Sequence, residues 1–479
     1  MSIKDEFQKY DALGLAALVK NGDVSASELM EVVIGRIEKV NPELNFVAVD
    51  CSELGRELAK GDIPDGPFHG VPYFLKDLFT DWKGVQCKNG TMMYKDYVSE
   101  HDGITVERAK AGGFILASKT TVPEMGWAAA GENLVTGNTL SPWDVTRTPG
   151  GSSSGSAAAV AARVIPIANG SDGGGSIRLP AAMSGLVGLK PSRGRIPWGP
   201  PICDFGYGFG TEGCVSLTVR DTAAYLDVVG GSVPGDPYAY PSPETPFLGD
   251  SMRDPGKLRI GFTTVSPSGC DVWDDAVTAV QKTVKLCEDL GHHVEEMSYD
   301  YDFEAFQNHI TRMLGATYSL AFDNTAELFG REPSGDDFMN FMYASSKAGK
   351  NLTGADHARD VEALRVFARE IAAQTVRYDV VITPTMAIKA PKIGWCNMTD
   401  TPYDEYNRTV LGDVCPFTIP HNCSGLPAIS LPLGFSETDG LPVGVQFAAA
   451  HGRDGLLLRL ATQIESAAPW IDRLPPIHA

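Results

Sequence analysis

Two short stretches carry most of the reactive side chains. Residues 149–162 read PGGSSSGSAAAVAA and residues 169–180 read NGSDGGGSIRLP. Glycine runs are unfavourable inside regular elements, so two of them close together imply backbone that approaches something closely or turns its N–H groups into an anion-binding nest. The first run leads into an alanine-rich helix whose N-terminal amides and dipole would lie beside Ser152, Ser153 and Ser154. The second offers consecutive amides at Gly173, Gly174, Gly175 and Ser176. A serine at the end of such a run has an exposed hydroxyl and donors arranged for a developing oxyanion, which is what acyl transfer requires.

Two other motifs overlap here. Residues 151–155, GSSSG, satisfy the G-x-S-x-G nucleophile elbow and would make Ser153 the nucleophile, but that elbow follows a strand. The preceding SPWDVTRTPG (141–150) holds two prolines and several polar turn formers. Gly208 to Gly213 matches GxGxxG, yet no apolar strand leads into it, so it reads as a loop. An activated serine needs a base. No HExxH is present, and His292-His293 falls at a helix-to-strand turn and reads as solvated. Lys76 closes HGVPYFLK (69–76) after a run of five apolar residues, while most other lysines have polar neighbours. It is either a functional base or a strand-end lysine whose amine snorkels to solvent.

The elements that must position these groups alternate. Ser25 and Glu28 form a capping-box signature, with Val24 and Leu29 as a staple. They open a helix to about Val40, with Leu29, Val32, Val33, Ile37 and Val40 on one stripe. Short apolar strands follow at Val71–Leu75, Phe114–Ala117 and Ile165–Ala168. A second unit has a strand Leu258–Phe262, a helix bearing Val277, Val280, Val284 and Cys287, and a strand Tyr378–Thr383, with about a hundred largely helical residues between. Strands Ala428–Leu433 and Val443–Phe447 and a helix near Asp454–Glu465 complete the same sheet. The pattern predicts an α/β fold, a mixed twisted sheet covered on both faces by helices. Gly231–Pro255 is the best candidate linker. The preferred reading is nonetheless one domain over 1–479: N-terminal helices (1–60), a core (61–230), a second α/β portion with a helical insert (256–390) and a sheet-completing tail (391–479).

Composition narrows the function. The 479 residues carry 40 Lys plus Arg against 60 Asp plus Glu, a formal charge of −20, a field that repels phosphate backbones and argues against nucleic acid as a partner. The first residues lack an apolar export segment, and the small-apolar stretch Ser156–Ala168 is short and interrupted by Arg163, so no membrane span is expected. Nine scattered cysteines without a CxxC pair read as small buried hydrophobes in a reducing compartment. A cytoplasmic protein is expected.

Taken together, GGSSSGS (150–156), GSDGGGSIRLPA (170–181) and GLVGLKPSRGR (185–195) resemble the amidase signature family of serine amidohydrolases. Agreement extends to GVPYFLKD (70–77), SLTVRDTA (216–223), SGLPAISLPLG (424–434) and GLPVGVQ (440–446), so the resemblance spans nearly the whole chain. It implies a nucleophile at Ser176, a bridging serine at Ser152 following a cis peptide, and a lysine base at Lys76. It further implies an oxyanion hole from the amides of Gly173, Gly174 and Gly175 through Ser176, with support from Ser153, Asp172 and Arg178. No metal or cofactor is implied. One departure is visible: Gly173 stands where the family usually has threonine.

For Lys76 to accept a proton it must be neutral, which means lowering its pKa from about 10.4 towards 7, roughly 4 kcal/mol. Burial lowers a lysine by up to about 3–5 units, so desolvation suffices. A carboxylate beside the ammonium would undo this, so Asp77 is expected to point away. The family's tRNA-dependent amidotransferase A subunit typically continues with a stretch resembling SSLDQIGP, whereas residues 203–213 read CDFGYGFGTEG. That favours a stand-alone hydrolase over the A subunit, and the filled positions 76, 152 and 176 argue against a non-catalytic assembly subunit. Phe205, Tyr207 and Phe209, with Met125 and Trp127, are candidates for an apolar pocket, or plain packing. Such a pocket resembles those of family members acting on aryl, cyclic or other xenobiotic amides, nylon-oligomer and urethane hydrolases included. The expected partner is a small amide, and the expected state a monomer or homodimer.

Overall fold

A computed structural model describes residues 3–200 and 202–479, with the side chain of Asp5 left aside. The strands are β1 (Val47–Asp50), β2 (Pro72–Lys76), β3 (Ile115–Thr120), β4 (Glu132–Asn133), β5 (Gly137–Asn138), β6 (Ile167–Asp172), β7 (Val187–Lys190), β8 (Thr211–Ser216), β9 (Arg259–Phe262), β10 (His293–Glu296), β11 (Val380–Pro384), β12 (Ala428–Phe435) and β13 (Pro442–Ala449). Eleven of them form one mixed sheet in the order β1-β3-β2-β6-β8-β7-β12-β13-β11-β9-β10, while β4 and β5 pair as a separate hairpin. The expected single α/β sheet flanked by helices is what is found.

Strands β2, β3 and β6 run parallel, as do β9, β10 and β11; the remaining pairings are antiparallel. In an open sheet of this kind ligands bind beyond the carboxyl ends of parallel strands. Those ends are occupied by Lys76 on β2 and Asp172 on β6. Both strands are buried along their whole length, and the polar side chains that β6 carries, Asn169, Ser171 and Asp172, are each hydrogen-bonded.

The N-terminal helix runs Ala26–Leu44, one turn beyond its expected end, past Pro42 to an αL cap at Asn45. Its capping box is present: Ser25 Oγ accepts from the Glu28 amide at 3.1 Å, and the Ser25 amide donates to Glu28 Oε2 at 2.8 Å. The helix Ser154–Ala161 is buried on every side, as its run of small residues allows. A second hydrophobic cluster, distinct from the one around the sheet, gathers the long helix Phe303–Phe329, the helix Asn340–Lys350 and the segment 403–424 against the loop at 125–130.

Some expectations need correcting. The segment 231–255 separates no bodies: it contains a short helix, Phe247–Ser251, whose first amides donate to the Asp227 carboxylate at 2.6 and 2.9 Å, and the strands on either side share one sheet. His292 is buried rather than solvated, because its Nδ1 accepts from the Leu258 amide at 3.2 Å while Nε2 meets Gln463 Oε1 at 2.9 Å. His293, by contrast, is exposed as expected and opens β10 directly after the helix-to-strand turn. Of the nine cysteines, Cys203 is exposed and Cys270 half-buried; the other seven are buried. Among the described residues no helix is long and apolar enough to cross a membrane.

Candidate active site

Lys76 is fully buried at the end of β2, and its Nζ reaches Ser152 Oγ at 2.8 Å, Ser171 Oγ at 2.9 Å and Ser171 O at 3.2 Å. Among the described residues no carboxylate touches it. Burial pushes its pKa down to about 7, although Glu212 and Asp172 pull the other way. Asp77, the next residue, turns to the opposite side of the strand and pairs with Lys119 Nζ at 2.8 Å, as expected from the requirement that Lys76 stay neutral.

Ser152 follows a cis peptide at Gly151. Only glycine fits at 151, because a Cβ there would lie 2.4 Å from the Ala130 amide nitrogen and 2.5 Å from the Ala128 carbonyl. Ser153 is buried and engaged: its hydroxyl donates to the Ser176 carbonyl at 2.6 Å, and its amide approaches the same oxygen at 3.3 Å. The elbow reading of Ser153 therefore fails, since no strand precedes it and its hydroxyl is committed to fixing the 176 backbone. The Gly208–Gly213 motif runs from a loop straight into β8 with no helix after it, which removes the dinucleotide reading.

Ser176 lies between β6 and the short helix Arg178–Ser184, half-buried, on the wall of the same pocket that Ser152 lines. Its hydroxyl makes no hydrogen bond to the described residues, so it is free towards the pocket. The turn before it is held by Asp172, whose carboxylate accepts from the amides of Gly175 at 2.7 Å and Ile177 at 3.2 Å. This alters one expectation: the Gly175 amide is spent on Asp172 and Gly175 does not reach the pocket, whereas Gly173, Gly174 and Ser176 do. Gly175 sits at φ 136°, and a Cβ there would meet Thr418 Oγ1 at 2.6 Å, so its own contribution is to the shape of the turn.

Arg178 closes the arrangement. Its guanidinium donates to Asp172 at 2.9 and 3.0 Å, to Thr418 O at 2.9 Å, to Gln446 Oε1 at 2.8 Å and to Asn422 Oδ1 at 2.6 Å. Burial opposes the Asp172 charge, but the guanidinium overrides it and holds the carboxyl well below the usual range. A buried pair is tolerable when its remaining hydrogen-bonding capacity is filled, as here. A Cβ at Gly173 would make only ordinary contact with Phe205, at 3.6 Å, so the backbone there does not demand glycine and the missing side chain leaves room on the pocket side.

The pocket in front of these serines encloses about 810 Å³, part of it open to solvent. Met125 and Trp127 line it as expected, and so does Phe205. Tyr207 and Phe209 do not: Tyr207 is exposed, its hydroxyl 2.7 Å from His357 Nε2, and Phe209 is packed in the core. The alternation of 205, 207 and 209 is that of a turn with positive φ at 206, 207 and 208, which throws the middle ring outward. The sequence reading missed Phe79, Trp198, Tyr318, Leu411 and Ile419, which complete the wall. Tyr318, from the helix Phe303–Phe329, donates to the Met125 carbonyl at 3.1 Å and stacks edge-on against Trp127. Nothing local marks it; the 3.6-residue period of its helix shows only that it faces inward. Among the described residues, no cluster of His, Cys, Asp and Glu side chains could hold a metal ion.

The profile of the Amidase family matches residues 28–458. A 6-aminohexanoate-cyclic-dimer hydrolase of Pseudomonas sp. (strain NK87) is 37% identical over 98% of this chain and 96% of its own length. An acylamidase of Rhodococcus erythropolis is 32% identical over 97% and 96%. The solved structure of a 6-aminohexanoate cyclic dimer hydrolase complexed with substrate superimposes with a TM-score of 0.93 at 36% identity, covering 98% of this chain and all of the other.

Proposed function

The chain belongs to the amidase family and is a hydrolase of small-molecule amide C–N bonds, and on that premise we propose that it works through an acyl-enzyme on Ser176, with Ser152 and Lys76 moving the protons. The observation that carries this reading is the contact of a buried, carboxylate-free amine with Ser152 Oγ at 2.8 Å, beside a serine hydroxyl that is free towards an apolar pocket.

A neutral amine has two N–H donors and one lone pair. Both donors are absorbed by Ser171, through its hydroxyl and its carbonyl, so the lone pair is left for the Ser152 hydroxyl. Ser152 then accepts the Ser176 proton as Ser176 Oγ attacks the amide carbonyl, and passes its own to Lys76. In the reverse direction the same pair protonates the leaving amine, and water repeats the cycle on the acyl-enzyme. The carbonyl oxygen, as it gains charge, is received by amides of Gly173, Gly174 and Ser176; donors fixed in advance are the larger part of such catalysis.

The substrate is a neutral amide with an apolar body, cyclic or aryl, or a carbamate of that kind. The walls are aromatic and aliphatic, the lining Asp172 is fully occupied by Arg178, and no unpaired charge awaits a charged substrate. The names of the two relatives point the same way, to a cyclic dimer of 6-aminohexanoate and to acyl amides. The formal charge of −20 and the absence of an SSLDQIGP-like stretch set aside transfer to a tRNA-bound substrate.

The test is Ser176→Ala, assayed on an anilide, a linear aliphatic amide, a carbamate and a cyclic lactam dimer. Turnover is expected to vanish with an unchanged thermal unfolding midpoint. Hydrolysis at the wild-type rate by the folded variant would remove Ser176 from its role.

A further inference from the structure

Near Lys76, and outside the lining of the pocket, stands a carboxyl group that the reaction as described does not use. Glu212 is the second residue of β8, and in the antiparallel β6–β8 ladder it lies directly opposite Ser171. Residues opposed in such a ladder project from the same face. Ser171 is the residue whose hydroxyl receives the Lys76 amine at 2.9 Å. Asn169, two residues earlier on that face, donates through Nδ2 to Glu212 Oε2 at 2.9 Å and accepts the Lys76 backbone amide on Oδ1 at 3.1 Å. Glu212 is only 3% exposed and, among the described residues, its carboxylate accepts from Asn169 and from no cation. An acidic side chain in that position is costly unless something makes use of its charge.

We propose that Glu212 is a positioning residue for proton transfer: its carboxylate, held by Asn169 behind Ser171, compensates the positive charge that appears on Lys76 when Ser176 is acylated. The inference rests on the reading of Lys76 and Ser176 given above. When Lys76 takes the Ser152 proton as Ser152 accepts that of Ser176, an ammonium forms in a site with no direct counter-ion. Glu212 supplies the balancing charge at one remove, close enough to favour the ammonium in the transition state and too far to form a salt bridge that would keep Lys76 protonated at rest.

The other groups facing this pair do not replace it. Asp172, on β6, also favours the charged amine but is tied to Arg178. Tyr73 on β2 and Tyr225 on the helix Val219–Val229 lie near Glu212 as neutral phenols whose ionisation burial suppresses. Burial raises the Glu212 carboxyl to about 7, while Asn169 and Lys76 draw it down, so lysine and glutamate titrate in the same range.

The experiment is the rate at which a fluorophosphonate labels Ser176 between about pH 5 and 10, in the wild type, Glu212→Gln and Glu212→Asp. A charge removed from a lysine's surroundings moves its pKa by about 1–3 units. In Glu212→Gln the rise of labelling with pH is expected to shift at least about one unit lower, with a plateau down by up to about tenfold. In Glu212→Asp the midpoint is expected to stay near the wild type. A merely structural role would lower the plateau and leave the midpoint in place, and that outcome in the folded glutamine variant overturns the proposal. Should Glu212→Gln not fold, Lys76→Met followed by infrared titration of the buried carboxyl decides: loss of the amine is expected to move it to higher pH, and an unmoved titration overturns the proposal. Failure of the wild type to label at Ser176 would strike the acyl-enzyme reading itself, which separates the two.

Discussion

Two lysines are buried side by side at the ends of β2 and β3, and they are opposites. Lys119, opposite Leu75 in the parallel ladder, meets the Asp77 carboxylate at 2.8 Å and donates to the Gln86 carbonyl at 3.0 Å. Burial works against its charge, but Asp77 overrides it and raises its pKa. Lys76, one residue before Asp77, meets hydroxyls and a carbonyl, and burial outweighs the opposing pull of the more distant Glu212 and Asp172. Because successive side chains on a strand point to opposite faces, the sequence Lys-Asp delivers the base to one side and the counter-ion to the other. Burial is the same for both; the contacting partner determines whether the result is an ion pair or a proton acceptor.

Exchanging the two lysines for an apolar isostere breaks the comparison most sharply. Lys76→Met is expected to reduce kcat/KM by about 10²–10⁴-fold, the usual worth of a general base, while the protein stays folded. In the wild type kcat/KM should rise with pH through about 7, since the charged form populated below that value cannot accept a proton. A pH-independent rate in that range would contradict a lysine base. Lys119→Met should do the reverse. It strands Asp77 without its partner and is expected to cost about 3–5 kcal/mol in denaturant unfolding, with activity per folded molecule preserved.

A smaller contrast lies in the aromatic turn. Phe205→Ala removes a pocket wall and is expected to raise KM for an aryl amide about tenfold, by analogy with the loss of one buried aromatic contact. Tyr207→Ala, two residues away and outside the pocket, is expected to leave kcat/KM unchanged and stability within about 0.5 kcal/mol. Equal effects at the two positions would mean that the turn refolds around the substrate.

How much of this was legible in the sequence follows from the range of each interaction. The strand and helix order was readable because hydrophobic periods are local, and even the turning away of Asp77 follows from a period of two. The glycine runs marked the serines because only special backbone tolerates them. By contrast, the Arg178 contacts to Thr418, Asn422 and Gln446 cross some 240 residues or more, and no local rule links them. Gln446 does end the GLPVGVQ stretch, but the reason for a glutamine there emerges only when β13 lies beside the helix Arg178–Ser184. Glu212 escaped notice for the same reason: it is silent until β8 is laid against β6. Tyr207 misled because alternation suggests a strand, and the backbone there turns at every step.

The apolar lining of the pocket bears on turnover as well as on selection. Cleaving an amide yields an acid and an amine that ionise once they reach water, and aromatic walls with their lone carboxylate already engaged have nothing to offer either ion. A chamber suited to the intact molecule is a poor host for its fragments, so accumulated product inhibits weakly and departure of the cleaved pieces is driven by their own hydration.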